Sequence, residues 1–134
     1  MTGPGGVNFD ELRRMMLSFP GVEEGPSYGT PGFKLRGRFL ARLADRRRKD
    51  PRGLGPDDVL VLKGVDEDEK AFLMGTQPET YFITDHYRGY PAVLIRLARI
   101  EAADLEALIG ECWRRQAGKK LISAYEAART RTPL

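Results

Sequence analysis

The segment Tyr81–Leu97, YFITDHYRGYPAVLIRL, constrains the fold of this 134-residue chain more than any other. It opens with an aromatic and β-branched run (Tyr81, Phe82, Ile83, Thr84) and closes with an apolar one (Ala92, Val93, Leu94, Ile95). Both compositions suit strands on a pleated, buried surface. Between them lies Asp85-His86-Tyr87-Arg88-Gly89-Tyr90-Pro91, in which Gly permits unusual dihedrals and Pro ends strand pairing. The segment therefore predicts two strands joined by a turn. A connector needed only to reverse the chain would favour Asn, Gly or Asp. This one carries the only histidine of the chain, an arginine and two tyrosines, so it is the first place to look for function.

The rest of the chain supplies partners for that pair. Residues 1–7 are rich in Gly and Pro and are expected to be disordered, leaving 8–134 as one domain. Asn8 reads as an N-cap completed by Glu11, with Val7 and Leu12 placed for a hydrophobic staple. Phe9, Leu12, Met16 and Phe19 share a helical face, which predicts a helix over about Phe9–Ser18, stopped by Pro20-Gly21. Gly25 to Gly32 is crowded with turn formers. From Phe33 to Leu43 apolar and basic residues alternate on both sides of Gly37, predicting a hairpin with an apolar face (Phe33, Leu35, Phe39, Ala41, Leu43) and a basic one. Val59–Leu62 reads as a short buried strand. Asp66 and Glu69 cap a second helix that runs to about Met74 and ends at Gly75. Leu105, Leu108, Ile109 and Cys112, with Trp113 beside them, form a stripe on a helix over Ala102–Ala117. Beyond Gly118, Lys119–Arg129 reads as a further helix with Leu121, Ala124, Tyr125 and Ala128 as its apolar face. The fold class is α+β: two layers, an antiparallel sheet of about five strands with helices on one face, in the order α-β-β-β-α-β-β-α.

Charge is distributed unevenly. The net +3 combines a block from Lys34 to Arg52, with nine basic residues against Asp45 and Asp50 (+7), and a block from Asp57 to Glu79, with seven carboxylates against Lys63 and Lys70 (−5). A basic block attracts polyanions locally even where the total is modest, and the two blocks could also neutralise each other across the fold. No apolar run reaches the roughly 20 residues that a membrane helix needs, and the N-terminus has no signal-peptide core, so a cytoplasmic protein without membrane attachment is expected. The single cysteine, Cys112, excludes an internal disulfide and a multi-cysteine metal site. Nothing resembles a phosphate-binding Gly-rich loop, a metal-ligand cluster or an activated nucleophile, so neither enzymatic activity nor a metal or cofactor is expected. Glu23 and Glu24, an acidic pair after Pro20-Gly21, read as surface charges.

The pattern LSFPGVEEGPSYGTPGFKLRGRFLARL, then VLVL, PETYFITDHYRGYPAVLIRL and ECWRRQAGKKL, resembles the MmcQ/YjbR family of small bacterial proteins across roughly residues 9–122. The PGVEE, YGTPGFK and HYRGYP elements occur in the family's order. The resemblance implies an α+β fold similar to that of secretion chaperones, a double-wing arrangement of hairpins, and DNA binding.

Two groups of residues fit that role. Arg46, Arg47, Arg48, Lys49 and Arg52 sit on one polar connector, where several guanidinium groups can fork onto phosphates and release counterions. Lys34, Arg36, Arg38 and Arg42 would extend the patch along the solvent face of the hairpin, and Arg88 would join it from the second turn. Such contacts position DNA weakly and salt-dependently without reading bases. The same residues also suit a solvated loop that blocks edge-to-edge aggregation. The alternative reading is a non-enzymatic module for a small ligand or a protein, centred on the HYRGYP turn. Its pocket would be lined by Tyr28, His86, Tyr87, Arg88 and Tyr90; in an extended segment His86, Arg88 and Tyr90 would share one face. Equally, His86 could bond to backbone and the tyrosines pack over the sheet.

Overall fold

A computed structural model describes residues 6–27, 29–44 and 59–130. In chain order the elements are α1 (Phe9–Leu17), β1 (Val22–Ser27), β2 (Thr30–Leu35), β3 (Arg38–Leu43), β4 (Val59–Lys63), α2 (Glu67–Thr76), β5 (Tyr81–Phe82), a 3-10 turn (Asp85–Tyr87), β6 (Ala92–Arg96), a second 3-10 turn (Leu97–Arg99), α3 (Ala102–Ala117) and α4 (Lys119–Thr130). The strands form one antiparallel sheet in the order β1-β2-β3-β4-β6-β5. The class is the expected two-layer α+β.

The sheet has six strands rather than five, and the extra one lies where turn formers are densest. Gly25, Pro26 and Ser27 belong to β1, while Thr30, Pro31 and Gly32 belong to β2. Two circumstances tolerate those residues. β1 is an edge strand, and β2 begins to pair with β3 only at Gly32, so neither proline interrupts a ladder that needs its N–H. Gly32 also allows close approach, because a Cβ there would lie 2.8 Å from that of Ser27.

The β2–β3 pair contains a second departure. Phe33 faces Ala41 but Lys34 faces Phe39, so Leu40 is an extra residue in a β-bulge. The bulge re-aims the strand: Leu40, Ala41 and Leu43 enter the main core, whereas Phe39 packs on the opposite face of the sheet. Arg42, expected in solvent, is 8% exposed. β5 is only two residues long, shorter than the Tyr81–Thr84 run suggested.

The helices cover one face, as anticipated. Asn8 Oδ1 accepts from the Glu11 amide at 2.9 Å and Glu11 Oε1 accepts from the Asn8 amide at 3.1 Å, completing the capping box of α1. Leu12 and Met16 of α1 and Leu105, Leu108, Ile109, Cys112 and Trp113 of α3 are buried over the sheet. Trp113 is fully enclosed and its indole N–H donates to the Pro20 carbonyl at 2.9 Å. Gly118, at φ 86°, separates α3 from α4. α4 packs through Leu121, Ile122 and Tyr125, while Ala124 and Ala128 of its expected apolar face are exposed. α2 continues past Gly75 to Thr76. A second, smaller cluster of Val59, Val61, Phe82, Ala92 and Leu94 lies on the opposite face of the sheet.

Candidate nucleic-acid interface

The turn after β5 is more compact than an extended connector. Its backbone closes on itself through Tyr87 N–H to Thr84 O (2.9 Å), Arg88 N–H to Asp85 O (3.2 Å) and Tyr90 N–H to Tyr87 O (3.1 Å). Gly89, at φ 77°, makes the reversal possible. The strand-like alternation that would put His86, Arg88 and Tyr90 on one face is therefore absent. The rings instead lean on one another: His86 meets Tyr87 edge-on at 4.8 Å, and Tyr87 lies 6.2 Å from Tyr90. His86, Arg88 and Tyr90 are exposed, while Tyr87 is half-buried against the smaller cluster. Arg88 pairs with Asp85 at 2.6 Å, but at 76% and 92% exposure the pair is worth little and is easily exchanged for another anion.

Two buried cations reach this turn. Lys70 of α2 donates from Nζ to the Tyr90 carbonyl at 2.7 Å and is paired with Glu67 at 3.0 Å. Arg42 of β3 donates from Nη2 to the Tyr87 hydroxyl at 2.6 Å. Neither stood out in the sequence as a support for the turn. Lys70 does share a helical stripe with Leu73 and Met74, at i, i+3 and i+4, and that periodicity is the signal that marks it as inward-facing.

The second tip is the β2–β3 turn. Arg36 and Gly37 both have positive φ, at 51° and 82°, which makes a two-residue type I′ turn. Arg36 and Arg38 are exposed and Lys34 is half-buried. Among the described residues no carboxylate lies within ion-pairing distance of these three. Described carboxylates of the acidic block point elsewhere: Glu67 to Lys70, and Glu69 to Arg115 at 2.8 Å. Arg115 also approaches Glu111 at 3.7 Å, and Glu111 is pushed up from the usual carboxylate range by burial and then by its bond with Glu69. Mutual neutralisation of the two blocks is not what the described contacts build.

Strand register locates the two tips relative to each other. Leu35 pairs with Arg38, Ala41 with Leu62, and Lys63 with Ala92, so the Arg36-Gly37 turn and the start of β6 stand at the same end of the sheet. Only β4 separates β3 from β6, which puts their ends roughly 10 Å apart at ordinary strand spacing. The connector that carries Arg46, Arg47, Arg48, Lys49 and Arg52 lies outside the described residues, as does Tyr28. The flanking Ala44 and Val59, joined by a 3.0 Å backbone bond, mark the opposite end of the strands.

Elsewhere, a groove of about 420 Å³ runs between α3 and α4, bordered by Phe19, Gly110, Arg114, Tyr125 and Arg129, remote in sequence from the HYRGYP turn. Cys112 is buried and its thiol is pushed up to about 12, mainly by burial, so it is not a nucleophile at neutral pH. Among the described residues there is no grouping of three or more potential metal ligands, and no helix is long and apolar enough to cross a membrane.

Fold and surface together define a small α+β protein whose sheet carries at one end two turns that expose arginines. The chain belongs to the YjbR family, whose pattern matches residues 17–115, from the last residue of α1 through most of α3. It is 38% identical over 125 residues to the uncharacterized protein Mb2600 of Mycobacterium bovis and to the uncharacterized protein Rv2570 of Mycobacterium tuberculosis. These alignments take in 90% of this chain and 97% of each relative.

Proposed function

We propose that the protein binds nucleic acid through phosphate contacts, without reading base sequence, at the end of the sheet that carries both turns. Arg36 and Arg38 grip from the hairpin tip and Arg88 from the 85–91 turn, with Tyr90 and His86 offering aromatic faces to bases or sugars. Arg46, Arg47, Arg48, Lys49 and Arg52, on the connector whose flanks Ala44 and Val59 stand at the other end of the strands, contribute to the long-range attraction of a polyanion rather than to contacts at this end. The observation that carries the reading is the shared end of the sheet: exposed cations belong to two separate turns that leave strand ends roughly 10 Å apart. The DNA binding that the resemblance to the MmcQ/YjbR family implies agrees with it, and such a role suits a cytoplasmic protein.

Fluorescence anisotropy with duplex and single-stranded DNA tests the proposal. Binding is expected at low salt, with log K falling linearly in log salt. Each phosphate contact removed by Arg36→Ala, Arg38→Ala or Arg88→Ala should reduce the slope by about 0.9 on duplex DNA. An absence of binding at low salt, or identical slopes for wild type and the triple variant, would sink it. The Asp85 carboxylate beside Arg88 and the clustered rings of His86, Tyr87 and Tyr90 favour a second reading, a module for a small ligand or a protein at the same turn. That reading predicts a thermal-shift ligand whose effect His86→Ala abolishes while DNA binding is absent.

A further inference from the structure

The 85–91 turn is held by more than a hairpin requires. α2 buries a single side chain in full, and that side chain is a lysine: Lys70 is 2% exposed. An amphipathic helix would place Leu or Met there, since a buried ammonium is costly unless its protons are bonded. Lys70 spends its bonds on the Tyr90 carbonyl at 2.7 Å and on Glu67 at 3.0 Å. From the other side of the turn, Arg42 of β3 uses Nη2 on the Tyr87 hydroxyl at 2.6 Å and Nη1 on the Leu43 carbonyl at 3.1 Å. The two anchors come from different elements, lie too deep to touch a macromolecular ligand themselves, and meet the turn at residues on either side of Arg88. The Pro91 carbonyl is held as well, by the Gly64 amide at 2.8 Å.

We infer that Lys70 and Arg42 are positioning residues: they pre-order the 85–91 turn so that Arg88, His86 and Tyr90 are presented in a fixed geometry and need no folding on contact. Pre-ordering lowers the ordering cost of binding, which matters most for an interface of few contacts. The inference rests on the nucleic-acid reading for its purpose, though not for its structural content, and the two can fail separately.

Lys70→Met keeps the length of the side chain and removes the anchor. Amide exchange at Arg88, Tyr90 and Ala92 is expected to accelerate at least about tenfold, the scale of losing a hydrogen bond to a charged group, while amides of β4 and of β6 from Val93 onward stay protected. DNA affinity and salt slope should fall to those of Arg88→Ala. The double variant Lys70→Met/Arg88→Ala should lose less than the product of the two single losses, because both residues act through the same turn. Unchanged exchange at the turn overturns the inference, as do multiplicative losses in the double variant. If wild type binds no DNA, the functional reading fails and the exchange result alone decides the positioning role. Should Lys70→Met not fold, Tyr87→Phe, which cuts only the Arg42 link, replaces it with the same readouts.

Discussion

The two faces of the sheet are closed by different means. Under the helices, Phe33, Leu40, Leu60, Leu62 and Ile95 meet Leu12, Met16, Leu105, Ile109 and Trp113, and shape alone decides the fit. On the other face, Val59, Val61, Phe82, Ala92 and Leu94 form a small cluster flanked by arginines. Register puts Arg42 opposite Val61 and Arg96 opposite Val59, so both arginines share that face. Arg96 lies 4.0 Å over the Phe82 ring and donates to the Pro78 and Glu79 carbonyls at 3.2 Å each. Their stems cover apolar surface while their heads complete hydrogen bonds. The helix-covered face therefore carries most of the stability, and the other converts hydrogen bonds into the shape of a surface turn.

Truncations on the two faces should separate these roles. Trp113→Ala empties the largest fully buried site and is expected to cost about 3–5 kcal/mol in chemical denaturation. Leu94→Ala, at the edge of the smaller cluster, should cost about 2 kcal/mol, the low end for a buried Leu. Equal losses would erase the contrast between the faces. Tyr87→Phe comes next: it deletes one acceptor of a buried guanidinium, and a loss of about 1–2 kcal/mol is expected. A neutral result would mean that the arginine face tolerates missing bonds, against the argument made for it.

Cys112 offers a pH test of the helix-covered core. Its thiol ionises from 9.0 in an ordinary setting but only at about 12 when folded. Above the lower value the unfolded chain releases a proton that the folded one keeps, so this residue's contribution falls as pH rises from 9 towards 12. Measured as the stability difference between wild type and Cys112→Ala, the wild-type advantage at pH 7 should shrink by about 1 kcal/mol at pH 10. A constant difference would show that the thiol is reached by water. Thiol reagents should likewise react only as fast as the protein unfolds.

How much of this was legible in the sequence follows from how local each cause is. The α1 cap at Asn8 and Glu11, the Gly118 break and the α3 stripe depend on neighbours within a turn or two, and the structure has them where expected. The β1 strand did not announce itself, because Gly25 and Pro26 become strand residues only through the edge position of β1. Arg42 reads as a solvent residue until a bulge two positions away and a tyrosine 45 residues later give it a buried site. The site shows the same division. Arg36 and Arg38 were visible as cations on the solvent face of a hairpin and Arg88 as one on a turn, but no periodicity tells that they share one end of a sheet; register does. Lys70 had a local signal in its stripe with Leu73 and Met74, obscured by the acidic residues around it.

The smallest predicted effect bears most directly on function, because it pits the two demands against each other at one residue. Arg36 sits at φ 51°, where a Cβ is disfavoured, in a turn for which Asn followed by Gly is the preferred pair. Its amide already bonds to the Gly21 carbonyl at 3.0 Å, a contact that any side chain leaves intact. Arg36→Asn is therefore expected to stabilise the fold by about 0.5 kcal/mol, since Asn adopts the left-handed region with less strain. The same change removes an exposed cation from the hairpin tip and should lower DNA affinity, with the salt slope reduced by about 0.9. Opposite signs for stability and binding mark a residue kept for its charge at the expense of its turn, as strained positions at working surfaces often are. If stability falls with binding, Arg36 belongs to the scaffold, and the hairpin tip drops out of the interface; if stability rises with binding untouched, Arg38 and Arg88 must carry the interface without it.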